Sequence, residues 1–192
     1  ESRGPDLHDV LAGRASATEA VRESGPVKLL PCGRSLAGAR AADSTGLVET
    51  VQRVARQYGR VVIDSPAGMR SDAGVPLLAG DACLIVTRPT EAAISDAIRT
   101  RELARVIETP LTRVVLNRVD PDKLENPSRD DQLASTLGAP VVTVPESSAL
   151  AQAQQSGHPV GTVAPASQAA TQFSHLAETI ASRCFSSRQR CP

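Results

Sequence analysis

Residues 61–72 read VVIDSPAGMRSD, an apolar run that stops on Asp64 and turns at once through Ser65, Pro66, Ala67 and Gly68. Val61, Val62 and Ile63 follow one another with no polar alternate. That pattern predicts a strand apolar on both faces, as in a parallel sheet covered on each side by helices. Asp64 then falls at the carboxyl edge of the sheet, where open α/β folds bind their ligands. An aspartate there can hold a metal, or it can cap the turn that follows by accepting from nearby backbone N–H groups.

Outward from this stretch, strand and helix patterns alternate from residue 27 onward. Val27 to Leu30 reads as a short strand closed by Pro31, and Leu47, Val48, Val51, Val54, Ala55 and Tyr58 mark one face of a helix. Ala82 to Thr87 is the next apolar run after Val61–Ile63. Thr90 then caps a helix to about Ile107 with Ile94, Ala97, Ile98, Val106 and Ile107 expected inward. Arg113 to Asn117 reads as a strand, PDKLENPSRDD as a polar surface loop, and Gln132 to Leu137 as a helix stopped by Gly138. Val141 to Val144 is the last strand, Ser147 to Gln155 a helix. A final helix runs from about Gln168 to Cys184, with Ala169, Phe173, Leu176, Ala177, Ile180 and Cys184 on its inner face. Before residue 27, DLHDVLAGRASATEAV fits two short helical turns parted by Gly13. Strands separated by helices require right-handed crossovers, so the fold class is α/β, a doubly wound and mainly parallel sheet with helices on both faces.

The chain has 192 residues, enough for one domain with a sizeable core, and only 2% aromatics, so Val, Leu, Ile and Ala must build that core. With 21 Lys+Arg against 21 Asp+Glu there is no global field to draw in nucleic acid or an acidic membrane, and base-stacking aromatics are lacking. Cys32, Cys83, Cys184 and Cys191 form no C-x-x-C pattern. Cys83 reads as packing, and Cys184 and Cys191 are free to pair with one another. His8, His158 and His175 are scattered and make no triad. No signal peptide and no run long enough to cross a bilayer is present, so the chain reads as cytoplasmic.

Six stretches in order now carry a resemblance: DLHDVLAGRAS at 6–16, LLPCGRSLAGAR at 29–40, VVIDSPAG at 61–68, CLIVTRPTEAAISDA at 83–97, VVLNR at 114–118 and VPE at 144–146. Together they resemble the MinD/ParA family of deviant Walker-A P-loop ATPases, archaeal MinD-like proteins in particular, over residues 6 to 182. The resemblance implies ATP and Mg²⁺ as cofactors. Asp64 matches the family's Walker-B acid, which orients Mg²⁺ through its water shell, and Ser65, Pro66, Ala67 and Gly68 match switch II. There the lack of a Cβ lets the Gly68 backbone approach a γ-phosphate. Asn117 matches the residue that reads adenine, with the loop Val144-Pro145-Glu146 over the same base. Asp96 matches a position near the dimer contact. Each has a plainer counterpart: Asp64 as a turn residue, Asn117 as a strand end, Glu146 as an acid favoured near a helix N-terminus, Asp96 as a solvated acid on a helix face.

The family's phosphate loop, K-G-G-x-G-K-[ST], occurs nowhere in the 192 residues. Its lysines and the switch-I acid are therefore absent, and Lys28 and Lys123, the only lysines, follow no glycine-rich turn. With Glu1 as the first residue, the expectation is one incomplete MinD/ParA-like domain over 1–192, its core at 6–182 and a basic tail at 183–192. This would be the carboxyl-terminal part of an ATPase lacking its first strand and inactive alone. The resemblance implies an ATP-dependent homodimer working with an activator or cargo protein in cell division or chromosome partition. The alternative is a non-catalytic scaffold that has lost the phosphate loop. A dehydrogenase is a distant third, since no G-x-G-x-x-G follows a strand. The tail CFSSRQRCP offers Arg188, Arg190 and one bulky apolar anchor, Phe185, which is weak or no membrane binding and at most a peripheral attachment.

Overall fold

The computed structural model describes residues 4–33, 46–65 and 74–184, which fall into two compact units meeting in sequence at Gly80 and Asp81. In the first unit, α1 (Leu7–Leu11) and α2 (Ala17–Ala20) are the two short turns expected around Gly13. Each is held by a capping box: Asp6 with Asp9, and Ser16 with Glu19, every side chain taking the other's backbone N–H. Helices this short do not persist on propensity, so these reciprocal bonds satisfy the amides that a longer helix would leave fewer of in proportion.

Next come β1 (Arg22–Ser24) and β2 (Val27–Leu29), paired antiparallel in a hairpin with Ser24 opposite Val27. Its turn passes through Gly25, whose φ of 59° suits the first position of a tight hairpin loop. The expected parallel strand at 27–30 is thus one arm of a hairpin, and the sequence reading missed its partner because three consecutive polar residues, Arg22, Glu23 and Ser24, carry little strand signal. α3 (Gly46–Tyr58) matches the predicted helix, and α4 (Gly74–Ala79) packs against it.

Val61–Ile63 forms no strand ladder, and Val62 is 91% exposed. The expectation of a doubly buried strand there is therefore not met. An extended apolar segment becomes a strand only when a neighbour takes its backbone groups, and among the described residues none does.

The second unit contains the parallel sheet. β3 (Cys83–Thr87), β4 (Leu111–Val119) and β5 (Val141–Pro145) lie in the order β3-β4-β5, joined by α5 (Glu91–Ile107) and α6 (Pro127–Leu137). After β5 follow α7 (Ser148–Ser156), α8 (Val160–Val163) and α9 (Gln168–Cys184). β4 is the central strand and alternates between two cores. Val114 and Leu116 pack with Ile85, Ala97, Leu133 and Leu137 on the α5/α6 side, while Val115 packs with Val142, Val144 and Leu176 of α9 on the other. Both faces of β4 are covered, as a parallel strand requires.

Several faces differ from the helical spacing. On α5 the buried positions are Ala97 and Ala104, whereas Ile98 and Val106 are exposed, Val106 by 74%. Small residues face the sheet because they let the helix approach it, and the larger apolar residues lie off the contact line. On α9, Phe173 and Ala177 are likewise exposed while Ala169, Ala170 and Leu176 are buried. α6 begins at Pro127, five residues before the expected start, because Asn126 caps it through the Arg129 N–H and proline is well placed in the first turn. Among the described residues no helix is long and apolar enough to cross a membrane.

Candidate functional site

The carboxyl ends of β4 and β5 meet in an irregularity. Leu116 pairs with Thr143 and Val119 with Pro145, so β4 advances three residues where β5 advances two. The extra residue lies within Asn117-Arg118, and Arg118 has a φ of 58°, the left-handed region that side chains other than glycine rarely adopt. The Asn117 side-chain oxygen accepts the Arg118 backbone N–H at 2.9 Å, which fixes the direction of the amide. Beyond the bulge the ladder resumes, with the Glu146 N–H donating to the Val119 carbonyl at 2.8 Å.

A cleft of about 690 Å³ opens beside this bulge. Arg118, Val119 and Asp120 form one wall, Glu146, Ser147, Ser148 and Ala151 another, with Pro89 after β3, Pro121, Lys123 and Arg129 completing it. Local bonds shape each wall. A 3₁₀ turn at Pro121–Lys123 is capped by Asp120, whose carboxylate accepts the Asp122 N–H at 3.1 Å. The Arg129 guanidinium donates to the Lys123 and Leu124 carbonyls at 2.9 and 3.3 Å and pairs with Asp130 at 2.7 Å. Asp130 in turn accepts from the Thr143 hydroxyl of β5 at 3.2 Å, tying the loop to the sheet. Opposite, the Ser147 hydroxyl caps α7 through the Ala149 N–H. The resulting cleft is framed by main-chain turns at the carboxyl edge of a parallel sheet, and its volume is in the range of small-molecule sites.

The structure locates the residues anticipated from sequence as follows. Asn117 is half-buried and Pro145 is buried; both adjoin the cleft through Arg118 and Glu146, which line it. Glu146 is exposed, one residue before the cap of α7. These three are brought together at one edge of the second unit. Asp64 belongs to the first unit, is exposed, and has no partner for its carboxylate among the described residues; Ser65 beside it is exposed as well. Pro66, Ala67 and Gly68 lie outside the described residues, as does the tail from 185 onward. Asp96 is on the solvent side of α5, 62% exposed at its side chain and 3.4 Å from Arg99. An ion pair that open to water adds little to stability. Sequence reading did not single out Arg118, Asp120 or Arg129. Arg118 closed the VVLNR stretch at 114–118, and Arg129 lay in PDKLENPSRDD at 121–131, which read as an ordinary polar surface loop.

No protein-family profile matches the chain. An uncharacterized ATP-binding protein of Methanocaldococcus jannaschii is 37% identical to it over 147 residues. That match takes in 76% of this chain and 56% of the relative, so the chain spans little more than half the relative's length. Among solved structures, the cell division ATPase MinD of Pyrococcus furiosus superposes with a TM-score of 0.83 at 27% identity, covering 94% of this chain and 76% of that one. The septum site-determining protein MinD of Pyrococcus horikoshii, solved with Mg-ADP, gives the same TM-score at 24% identity, with 94% and 74% covered.

Proposed function

We propose that this chain, which belongs to the MinD/ParA family of ATPases by its fold and its archaeal relative, supplies the base-binding and magnesium-orienting parts of an ATP hydrolase. The observation that carries this reading is the cleft at the carboxyl ends of β4 and β5, next to which the bulge holds Asn117 with its amide direction fixed. With its oxygen engaged by the Arg118 N–H, the Asn117 side chain keeps its NH₂ for the acceptors on a purine edge. The wall at Glu146 and Ser147 closes over the same position.

Asp64 fits magnesium by its chemistry. Mg²⁺ takes one or two carboxylates, keeps several waters and completes its shell with phosphate oxygens, and Asp64 offers an exposed carboxylate that no group among the described residues engages. The ion, when bound, neutralises charge building on the phosphates. Switch II at 65–68 would follow the γ-phosphate. The phosphate-binding lysines are not among the 192 residues, so the chain alone is expected to bind Mg-ATP more weakly than micromolar and not to turn it over. In the reading proposed here the active ATPase is a homodimer, with Asp96 near its contact. It works with an activator or cargo protein in division or partition, in the cytoplasm, with no membrane attachment conferred by residues 183–192.

The same lack of a K-G-G-x-G-K-[ST] stretch favours a second reading, a non-catalytic scaffold. The coding sequence upstream of Glu1, with ATP turnover of its full product, separates the two. An in-frame lysine loop and Mg-dependent turnover are expected. A start codon immediately upstream and no turnover would leave the scaffold.

A further inference from the structure

The first unit brings a thiol and an imidazole together from distant points in the chain. Cys32 is exposed, and its Sγ lies 3.6 Å from Nε2 of His8 on α1. Nδ1 of the same ring is buried and has no hydrogen-bond partner, so among the described residues the Cys32 sulfur is the one polar group that the ring meets. With the ring proton on Nδ1, Nε2 is left to accept the S–H. Cys83 is placed differently: it lies in β3, where burial pushes its thiol up and makes it a poor nucleophile.

Main chain on both sides of Cys32 holds the pair in register. The Leu7 N–H donates to the Pro31 carbonyl at 2.8 Å. Gly33 has a φ of 94°, and a Cβ on it would overlap the carboxylate of Asp6, so only glycine lets the chain come this close to the cap of α1. Asp6 in turn accepts the His8 backbone N–H at 2.9 Å. Residues 31 and 33 are thus fixed against the turn that carries the imidazole. The charged groups at this end of α1 are Asp6 and Asp9, with Arg14 paired to Asp9 at 2.9 Å, and no hydrogen bond or ion pair joins the His8 side chain to α2 or α3 among the described residues. The two carboxylates favour the positive charge that a ring gains with a proton, and Arg14 offsets part of that.

We propose that Cys32 is a modification site for low-molecular-weight disulfides, with His8 as the base that takes its proton. A thiol reacts only after losing its proton, and Nε2 stands where that proton must go. As Nε2 accepts it, Sγ attacks one sulfur of the disulfide. The new S–S bond to Cys32 forms while the old one breaks, and the departing thiolate takes the proton back from the ring. Cys32 ends in a mixed disulfide and the other half of the reagent leaves as a free thiol, so the disulfide is itself the oxidant. This inference stands apart from the nucleotide reading.

The test is the rate at which 2,2′-dithiodipyridine modifies the full chain, read at the peptide carrying Cys32 by mass spectrometry so that the other cysteines do not contribute. At about pH 7 the folded chain should form the Cys32 mixed disulfide at least about threefold faster than the same chain unfolded in urea, a modest gain because better proton removal is partly offset by weaker intrinsic nucleophilicity. At about pH 10 the gain should vanish, since an accessible thiol has by then lost its proton to water. His8→Gln, a polar side chain that is no base, should bring the folded rate at about pH 7 down to that of the unfolded chain and match wild type at about pH 10. A folded rate no higher than the unfolded one at about pH 7 overturns the proposal. So does an equal ratio at both pH values, which exposure alone would produce, and so does an undiminished rate in His8→Gln. Should His8→Gln not fold, the two wild-type ratios decide.

Discussion

The N–H of Glu146 donates to the carbonyl of Val119 across 2.8 Å, closing the β4–β5 ladder on the far side of the bulge. The segment that enters α7 is therefore fixed by main chain and not by the exposed Glu146 carboxylate. Glu146→Ala should change unfolding free energy by less than about 0.5 kcal/mol, the ordinary range for an exposed side chain. In hydrogen exchange the residue-146 amide should stay protected alongside the sheet amides in both proteins. Rapid exchange at this amide in the wild type would mean that the ladder ends at the bulge.

Burial along β4 and α5 sets a second contrast. Leu116 is fully buried between Ile85, Val114 and Leu137, and truncating a leucine in such a place costs about 2–5 kcal/mol through lost transfer energy and the cavity left behind. Val106, apolar and on α5, is mostly exposed, so Val106→Ala should cost under about 0.5 kcal/mol. Urea unfolding of Leu116→Ala and Val106→Ala measures both. Equal losses would put Val106 on the inner face that its spacing in the sequence implies.

The first unit carries an acid-sensitive device in its capping boxes. The Arg14 side chain, donating to Asp9, and then the Asp6 backbone N–H hold the Asp9 carboxyl below its usual range. The Ser16 backbone N–H and then its hydroxyl do the same for Glu19. A carboxylate whose folded pKa lies below its unfolded value stabilises the fold above the unfolded value, and that contribution fades as pH falls through the folded one. α1 and α2 should therefore loosen on acidification below about pH 4, where unfolded carboxylates begin to protonate. Carboxyl-carbon NMR titration of Asp9, with amide exchange in α1, checks this. Asp9→Asn should remove part of the pH dependence, and an Asp9 that titrates at its ordinary value would refute the account.

The parallel unit was legible because its signals are redundant. CLIVT, VVL and VVTV are short apolar runs between turn residues, Thr90 and Gly138 act where their chemistry says they should, and each strand is followed by a helix-length pattern. Where one signal stood alone it misled. Asn126-Pro127 reads as a breaker, yet the same pair starts a helix when asparagine caps it. Val61–Ile63 has the composition of a buried strand, but pairing is a property of neighbours and not of the run itself. The candidate site was half legible: Asn117, Pro145 and Glu146 converge at one edge, as the motifs implied. The bulge was invisible, since an arginine gives no hint of a positive φ and the period of VVLNR contains no mark of an extra residue.

Asp64 supplies the decisive test of the magnesium role, made in a full-length protein that contains the lysine loop. Its carboxylate is exposed and engaged by no described protein group, so neither Asp64→Asn nor Asp64→Ala removes a packing or hydrogen-bonding contact seen in the described residues. Both variants should unfold within about 0.5 kcal/mol of wild type. Asparagine retains the shape and turn-forming capacity of aspartate but loses the charge, so it separates a metal ligand from a turn residue. If Asp64 orients Mg²⁺, Asp64→Asn should lower Mg-dependent ATP turnover on the order of 100-fold, as losing one preorganised electrostatic group does elsewhere. It should also raise the Mg²⁺ concentration needed for half-maximal rate, which a role confined to the turn would not change. Full turnover by Asp64→Asn at unchanged Mg²⁺ demand would assign the acid to the turn, and the apolar run of 61–63 would then end on a carboxylate for local reasons alone.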